Sequence, residues 1–152
     1  MKKILIIITL LIFNNCSGYK PILTSKDINF NIQKIEVNDN DRISYKITKK
    51  LKPYSNQKQK INNISLKIVS SKQINTIAKD SKGDDSVYEM KISTDVNIIK
   101  INSKDKIIKF EEKFSFNNQS NKFELEQYKK DIEADLIKKI IEKLILNLRA
   151  IK

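Results

Sequence analysis

From Tyr88 to Ile98 the chain alternates: Tyr88, Met90, Ile92, Thr94, Val96 and Ile98 are separated by Glu89, Lys91, Ser93, Asp95 and Asn97. Successive strand side chains point to opposite faces, so this run requires a long strand with one apolar face and one polar face. After the polar NSKDK stretch the pattern returns at Ile108, Phe110, Phe114 and Phe116, which predicts an antiparallel hairpin. A two-stranded ribbon cannot keep its apolar face from water unaided. The chain must therefore supply a cover, and the period changes to provide one. Following NNQSN, the residues Phe123, Tyr128, Ile132, Leu136, Ile140, Ile141, Leu144, Ile145 and Leu148 fall on one helical stripe, with Ser120 or Asn121 as cap. Acids crowd its early turns (Glu124, Glu126, Asp131, Glu133, Asp135) and bases its later ones (Lys138, Lys139, Lys143, Arg149), which complements the helix dipole.

The upstream half supplies the remaining elements. Ile28, Phe30 and Ile32 alternate, and the pattern resumes one residue out of step at Ile35 and Val37, placing a bulge near Gln33–Lys34. Asn40 or Asp41 can cap a helix carrying Ile43, Ile47 and Leu51, with Tyr54 beyond; Pro53 ends it near Leu51 or Lys52. Ile64, Leu66 and Ile68 mark a further strand that continues weakly past Ile74, before a KDSKGDDS turn. The expected fold is α+β: two helices on one face of a mostly antiparallel four-stranded sheet, in the order β-α-β-β-β-α. Ile92, Val96, Phe110 and Phe114 should lie beneath the terminal helix, near Leu136, Ile140 and Leu144.

Catalytic chemistry finds little to work with. There is no histidine, which removes the usual general base and the commonest metal ligand together. Gly18 and Gly83 are the only glycines, so no glycine-rich phosphate loop exists. Asp84–Asp85 sits in a polar turn, and the adjacent Glu111 and Glu112 of a strand must face opposite ways. No catalytic residue, metal site or cofactor is expected, and the chain is read as a non-enzyme.

The N-terminus decides location. Lys2 and Lys3 precede an apolar run from Ile4 to Phe13 that ends close to Cys16, the single cysteine. A basic start, about ten apolar residues and a processing point make a secretory signal, too short for a span of about 20 residues. A cysteine closing that run resembles a bacterial lipobox, in which the thiol is alkylated by diacylglycerol and becomes the first mature residue. Asn14 and Asn15 stand where such sites place Gly, Ala or Ser; the other reading is a cleaved signal with an unpaired cysteine. The organisation is then a signal over 1–15, a lipidated tether over 16–27 and one domain over 28–152. Ser17 after the cysteine favours the outer membrane, since inner-membrane retention is associated with Asp there.

In CSGYKPIL, the residues Cys16, Gly18, Tyr19, Lys20 and Pro21, together with the element order, resemble the LPS-assembly lipoprotein LptE family, especially its alphaproteobacterial branch. The resemblance implies a non-enzymatic outer-membrane lipoprotein on the periplasmic side. It would plug and support an LptD-type β-barrel and help lipopolysaccharide reach the outer leaflet. A charge pattern bears on this independently. The formal net charge is +12, and between Arg42 and Lys79 lie ten basic residues and no acid. Lys46, Lys49, Lys50, Lys52, Lys58 and Lys60 are the expected contacts for lipopolysaccharide phosphates, because clustered ammonium groups form charge-assisted hydrogen bonds with phosphate. A solvated basic face is the competing reading. Nucleic acid, the usual partner of such a patch, is not expected for an exported protein. The alternative function is a membrane-anchored periplasmic scaffold that binds some other anionic ligand.

Overall fold

A computed structural model describes residues 28–38, 40–55, 62–100 and 104–151. Cys16, the signal and tether, and Lys58 and Lys60 lie outside the described residues. The elements are β1 (Phe30–Val37), α1 (Arg42–Leu51), β2 (Asn62–Lys79), β3 (Asp85–Lys100), β4 (Lys106–Asn117) and α2 (Lys122–Arg149). This is the α+β fold in the order expected. The sheet order is β1-β2-β3-β4, with β1 parallel to β2 and the other pairs antiparallel. Both helices lie on one face. No helix among the described residues is long and apolar enough to cross a membrane.

Local chemistry sets the element bounds. The Asp41 carboxylate accepts from the Ser44 amide at 2.8 Å and caps α1, and Pro53 turns the chain into a short 3-10 turn over Lys52–Tyr54. Asn121 caps α2 by accepting from the Phe123 and Glu124 amides at 3.1 and 3.3 Å, and its own amide donates to the Glu124 carboxylate. In β1 the register with β2 shifts between Ile32 and Lys34, where the slip in the apolar pattern lies. Gly83, in the turn between β2 and β3, has φ +87°, which glycine adopts without strain.

The core forms where the helices meet the sheet. Phe30, Ile32, Leu66, Ile68, Met90, Ile92, Val96, Leu136, Ile140, Leu144 and Leu148 are all nearly inaccessible. Cross-strand pairing aligns the sheet contribution in rows, for example Leu66–Ile98, Ile68–Val96 and Val96–Ile108. The opposite face is mostly polar, with Val69, Ile99 and Ile107 exposed on it, and ion pairs such as Lys91–Glu111 and Lys109–Asp95 cross between β3 and β4 there. Once Val37 has paired with Ile68, β1 leaves the sheet. Residues 71–79 of β2 therefore have β3 alone beside them and are all exposed. Lysines at 72 and 79 and register shifts around Ala78 blunt that free edge against strand addition.

Three aromatic side chains depart from the expected core. Phe114 is 41% exposed, Tyr128 38% and Phe123 81%. Phe114 shares a shallow groove with Tyr128, Asp131, Ile132, Asp135, Leu136 and Lys139, so polar residues of α2 border it and leave it partly open. Phe123 occupies the first turn of α2 on the side turned away from the buried Leu125, about 200° around the helix from it. Leu125 and Ile137, absent from the expected stripe, are buried instead. Truncating Phe110, 7% exposed, to Ala should cost about 3–5 kcal/mol in urea unfolding, as for a core aromatic. Phe114→Ala should cost about 1–2 kcal/mol, the transfer energy of a half-covered ring. Equal losses at the two positions would contradict this packing.

Candidate functional site

Arg42, Lys46, Lys49 and Lys50 follow one another at helical spacing along α1, on the flank away from the buried Ile43, Ile47 and Leu51. Asp41 is spent on capping, so the body of the helix carries no acid to offset this stripe. Beside it lies a cleft of about 170 Å³ between α1, β2 and α2. Arg42, Lys72, Ile74, Glu126, Lys129, Lys130 and Glu133 line it. The basic stripe and the cleft together form the candidate site.

Glu133 organises the cleft. It is 4% exposed and is gripped from two elements, by Lys46 of α1 and, at 2.6 Å, by Lys72 of β2. Burial alone would push its carboxyl up, but the hydrogen bonds and charges of Lys46 and Lys72 outweigh that cost and hold it below the ordinary glutamate range. The Lys46 and Lys72 side chains remain about a third exposed, so the pair is desolvated from the acid side only. Glu126 pairs with Lys129 at 2.8 Å on the surface, and the Lys129 ammonium also sits 5.8 Å from the centre of the Tyr88 ring. Among the described residues no carboxylate lies within ion-pair distance of Arg42, Lys49, Lys50 or Lys130. The surplus positive charge of the site resides on those four.

The expected basic residues therefore divide. Lys46 faces the stripe but is committed to Glu133. Lys49 and Lys50 are exposed beside it, and Lys52 is exposed one step past the helix end. The acid-free run from Arg42 to Lys79 is not one surface: Lys72 lies on the helix side of β2, whereas Lys67 lies on the open sheet side with Lys34 and Glu36. Lys129 and Lys130 are the contributions that the sequence reading missed. They sit among acids in the chain, and only the docking of α2 beside α1 brings them to the stripe. Glu133 reads in the sequence only as one of the early-turn acids of α2, and its pairing with Lys46 and Lys72 exists only once three elements meet. Arg42, Lys72, Lys129 and Lys130 outnumber the two carboxylates of the cleft, Glu126 and Glu133, and both of those carboxylates are already paired with lysines.

Removing the Glu133 charge tests this geometry. Its native pKa is depressed, so the stability it contributes is present above the unfolded value of about 4.3 and is lost as pH falls through the lower native value. Glu133→Gln should cost about 1–3 kcal/mol at neutral pH, as for hydrogen bonds to charged groups. The gap between parent and variant should close as pH drops below about 4. A gap that is constant from pH 7 to pH 3 would mean that the Lys46–Glu133–Lys72 bridge adds nothing.

No established protein family and no curated protein sequence matches this chain. Solved structures do. The minor lipoprotein from Acinetobacter baumannii superposes with a TM-score of 0.59 at 7% identity, covering 81% of this chain and 93% of that one. The rare lipoprotein B from Shewanella oneidensis superposes at 0.50 with 13% identity, covering 76% of this chain and 98% of that one. The uncharacterized lipoprotein B from Nitrosomonas europaea gives 0.51 at 8% identity, covering 84% and 88%. At such identities the likeness establishes the fold: the described domain has the architecture of these bacterial envelope lipoproteins over most of its length.

Proposed function

We propose that this chain is an outer-membrane lipoprotein of the LptE type, anchored through Cys16 on the periplasmic side. In this reading it supports an LptD-type β-barrel and helps deliver lipopolysaccharide to the outer leaflet. The observation that carries the reading is the fold shared with the rare lipoprotein B from Shewanella oneidensis, in a chain whose N-terminus has a cysteine just after a basic start and an apolar run. Two unrelated features, one in the fold and one in the leader, point to the same class of molecule. No step of this function requires bond-making by the protein, which suits a chain with no histidine.

The basic stripe supplies the ligand chemistry. Arg42, Lys49, Lys50 and Lys130 offer donors that no carboxylate among the described residues holds within ion-pair distance. Phosphate groups along them gain charge-assisted hydrogen bonds. Lys46 contributes field more than contact, because Glu133 already holds it. A scaffold lipoprotein that binds some other anionic polymer would use the same surface, and the identity of the bound anion separates the two readings.

Mass spectrometry of the N-terminal peptide should find diacylglycerol on Cys16, with no residues before it. An unmodified thiol, or cleavage elsewhere, would overturn the anchor. Replacing Arg42, Lys49, Lys50 and Lys130 together with Ser should weaken lipopolysaccharide binding about tenfold or more without lowering stability, since all four are surface donors to a charged group. Binding by the parent should also fall with added salt. Undiminished binding by the quadruple variant at low salt would leave the stripe as a solvated face.

A further inference from the structure

β4 pairs with β3 from end to end without a register shift, contains no proline, and has no strand among the described residues on its other side. Alternate backbone N–H and C=O groups along Lys106–Asn117 therefore point outward without a ladder partner. The free stretch of β2 is broken by register shifts around Ala78, whereas this edge is regular. Its Lys109 and Lys113 are paired with Asp95 and Glu89 of β3 on the open sheet face. A groove of about 170 Å³ runs beside the edge on the helix side. Glu126, Lys129, Lys130 and Glu133 turn one flank of α2 to α1, and Tyr128, Asp131, Asp135 and Lys139 turn the opposite flank to β4. Phe114, Ile132 and Leu136 supply the apolar lining. Helix and strand touch on either side of it, through Phe116 against Tyr128 with ring centres 6.1 Å apart, and through the Lys143–Glu112 ion pair. Among the described residues no base lies within ion-pair distance of Asp131 or Asp135, although the chain has 30 basic residues and 18 acidic ones.

We propose that β4 and this groove accept an added strand from the protein partner. The segment that fits is extended, sets an apolar side chain against Phe114, and carries a Lys or Arg two residues away to meet Asp131 and Asp135. The proposal deepens the proposed function and rests on it for the source of the strand, a segment of the barrel that enters its lumen. Main-chain hydrogen bonds to the free edge supply affinity, and the groove supplies selectivity, because residues i and i+2 of an added strand share a face. A base that reaches the rim neutralises carboxylates that the fold leaves uncompensated. A second copy of the chain fits poorly. Its own β4 would bring Glu112, flanked by Phe110 and Phe114 on the same face, to an acidic rim. The two flanks of α2 then serve different ligands, an anion on the side of Arg42 and Lys130 and a peptide strand on the side of Phe114.

The test uses the full chain purified from membranes, alone and with the barrel that co-isolates. Hydrogen exchange read by mass spectrometry should slow several-fold across Lys106–Asn117 in the complex and stay unchanged over residues 71–79 of β2. A probe independent of the barrel is a synthetic peptide of the repeat Val-Thr-Lys-Thr, which sets valine and lysine alternately on one face. It should bind the isolated chain. Asp131→Asn/Asp135→Asn should weaken that binding several-fold without moving the urea midpoint, and N-methylation of the peptide backbone should abolish it. A barrel complex in which β4 exchanges as fast as in the free chain overturns the proposal and leaves the proposed function standing. Peptide binding indifferent to N-methylation also overturns it, since side-chain attraction alone would then hold the segment. So does β4 protection that grows with the concentration of the chain alone, which would assign the edge to a second copy. If no barrel co-isolates, the proposed function falls and the peptide decides. Binding that needs Asp131, Asp135 and free peptide amides then upholds the strand site, and its absence overturns it.

Discussion

One carboxylate ties the two layers together. Asp41 caps α1 through the Ser44 amide, takes the Ser44 hydroxyl, and accepts from the Ser70 amide of β2 at 2.7 Å. Ser70 is the position at which β2 has just lost β1 as a neighbour, so the side chain of Asp41 replaces a missing ladder bond. From there the polar contacts run on through Ser44 to Ser70 at 2.9 Å and Ser70 to Thr94 at 3.0 Å. Ser44 and Thr94 are fully buried, and this chain satisfies them within an otherwise apolar interface. The pose of α1 depends on this knot. The stripe of Arg42, Lys49 and Lys50, and the reach of Lys46 to Glu133, depend on that pose in turn.

The second constraint is the one-sidedness of the sheet. Helices cover one face, while the other carries ion pairs such as Lys113–Glu89 at 3.7 Å, which are exposed and contribute little to stability. Such pairs keep a wide polar face soluble and in register. Charge elsewhere is sorted by position, with a basic stripe and cleft at the α1–α2 junction. Lysine abundance alone, spread along a sequence with net charge +12, does not produce that sorting. The fold does, by bringing Lys129 and Lys130 beside Arg42 and by separating Lys67 from Lys72.

Local patterns were legible and long-range ones were not. The β1 bulge, the Asp41 cap, the end of α1 before Pro53 and the long β3 strand each have their cause within a few residues, so periodicity and capping chemistry reveal them. The unmatched length of β2 was only half visible. Beyond Ile68 its helix-side positions become Ser70, Lys72, Ile74 and Thr76, of which Ile74 alone is apolar and stays partly exposed, because little apolar cover reaches them. Phe114 read as core because its spacing is right, but coverage depends on where α2 crosses β4, and Asp131 and Asp135 border it there. Glu133 is the clearest case of context overriding type. An acid on a lysine-rich chain is unremarkable until Lys46 and Lys72, from two other elements, close over it.

The proposed function stands or falls on association with an outer-membrane barrel. Affinity isolation of the full chain from detergent-solubilised outer membranes tests that claim most directly. A large β-barrel protein should co-isolate in near-equimolar amount and withstand salt washes that strip exposed ion pairs. Isolation of the chain alone, from membranes whose barrels were solubilised intact, would contradict it.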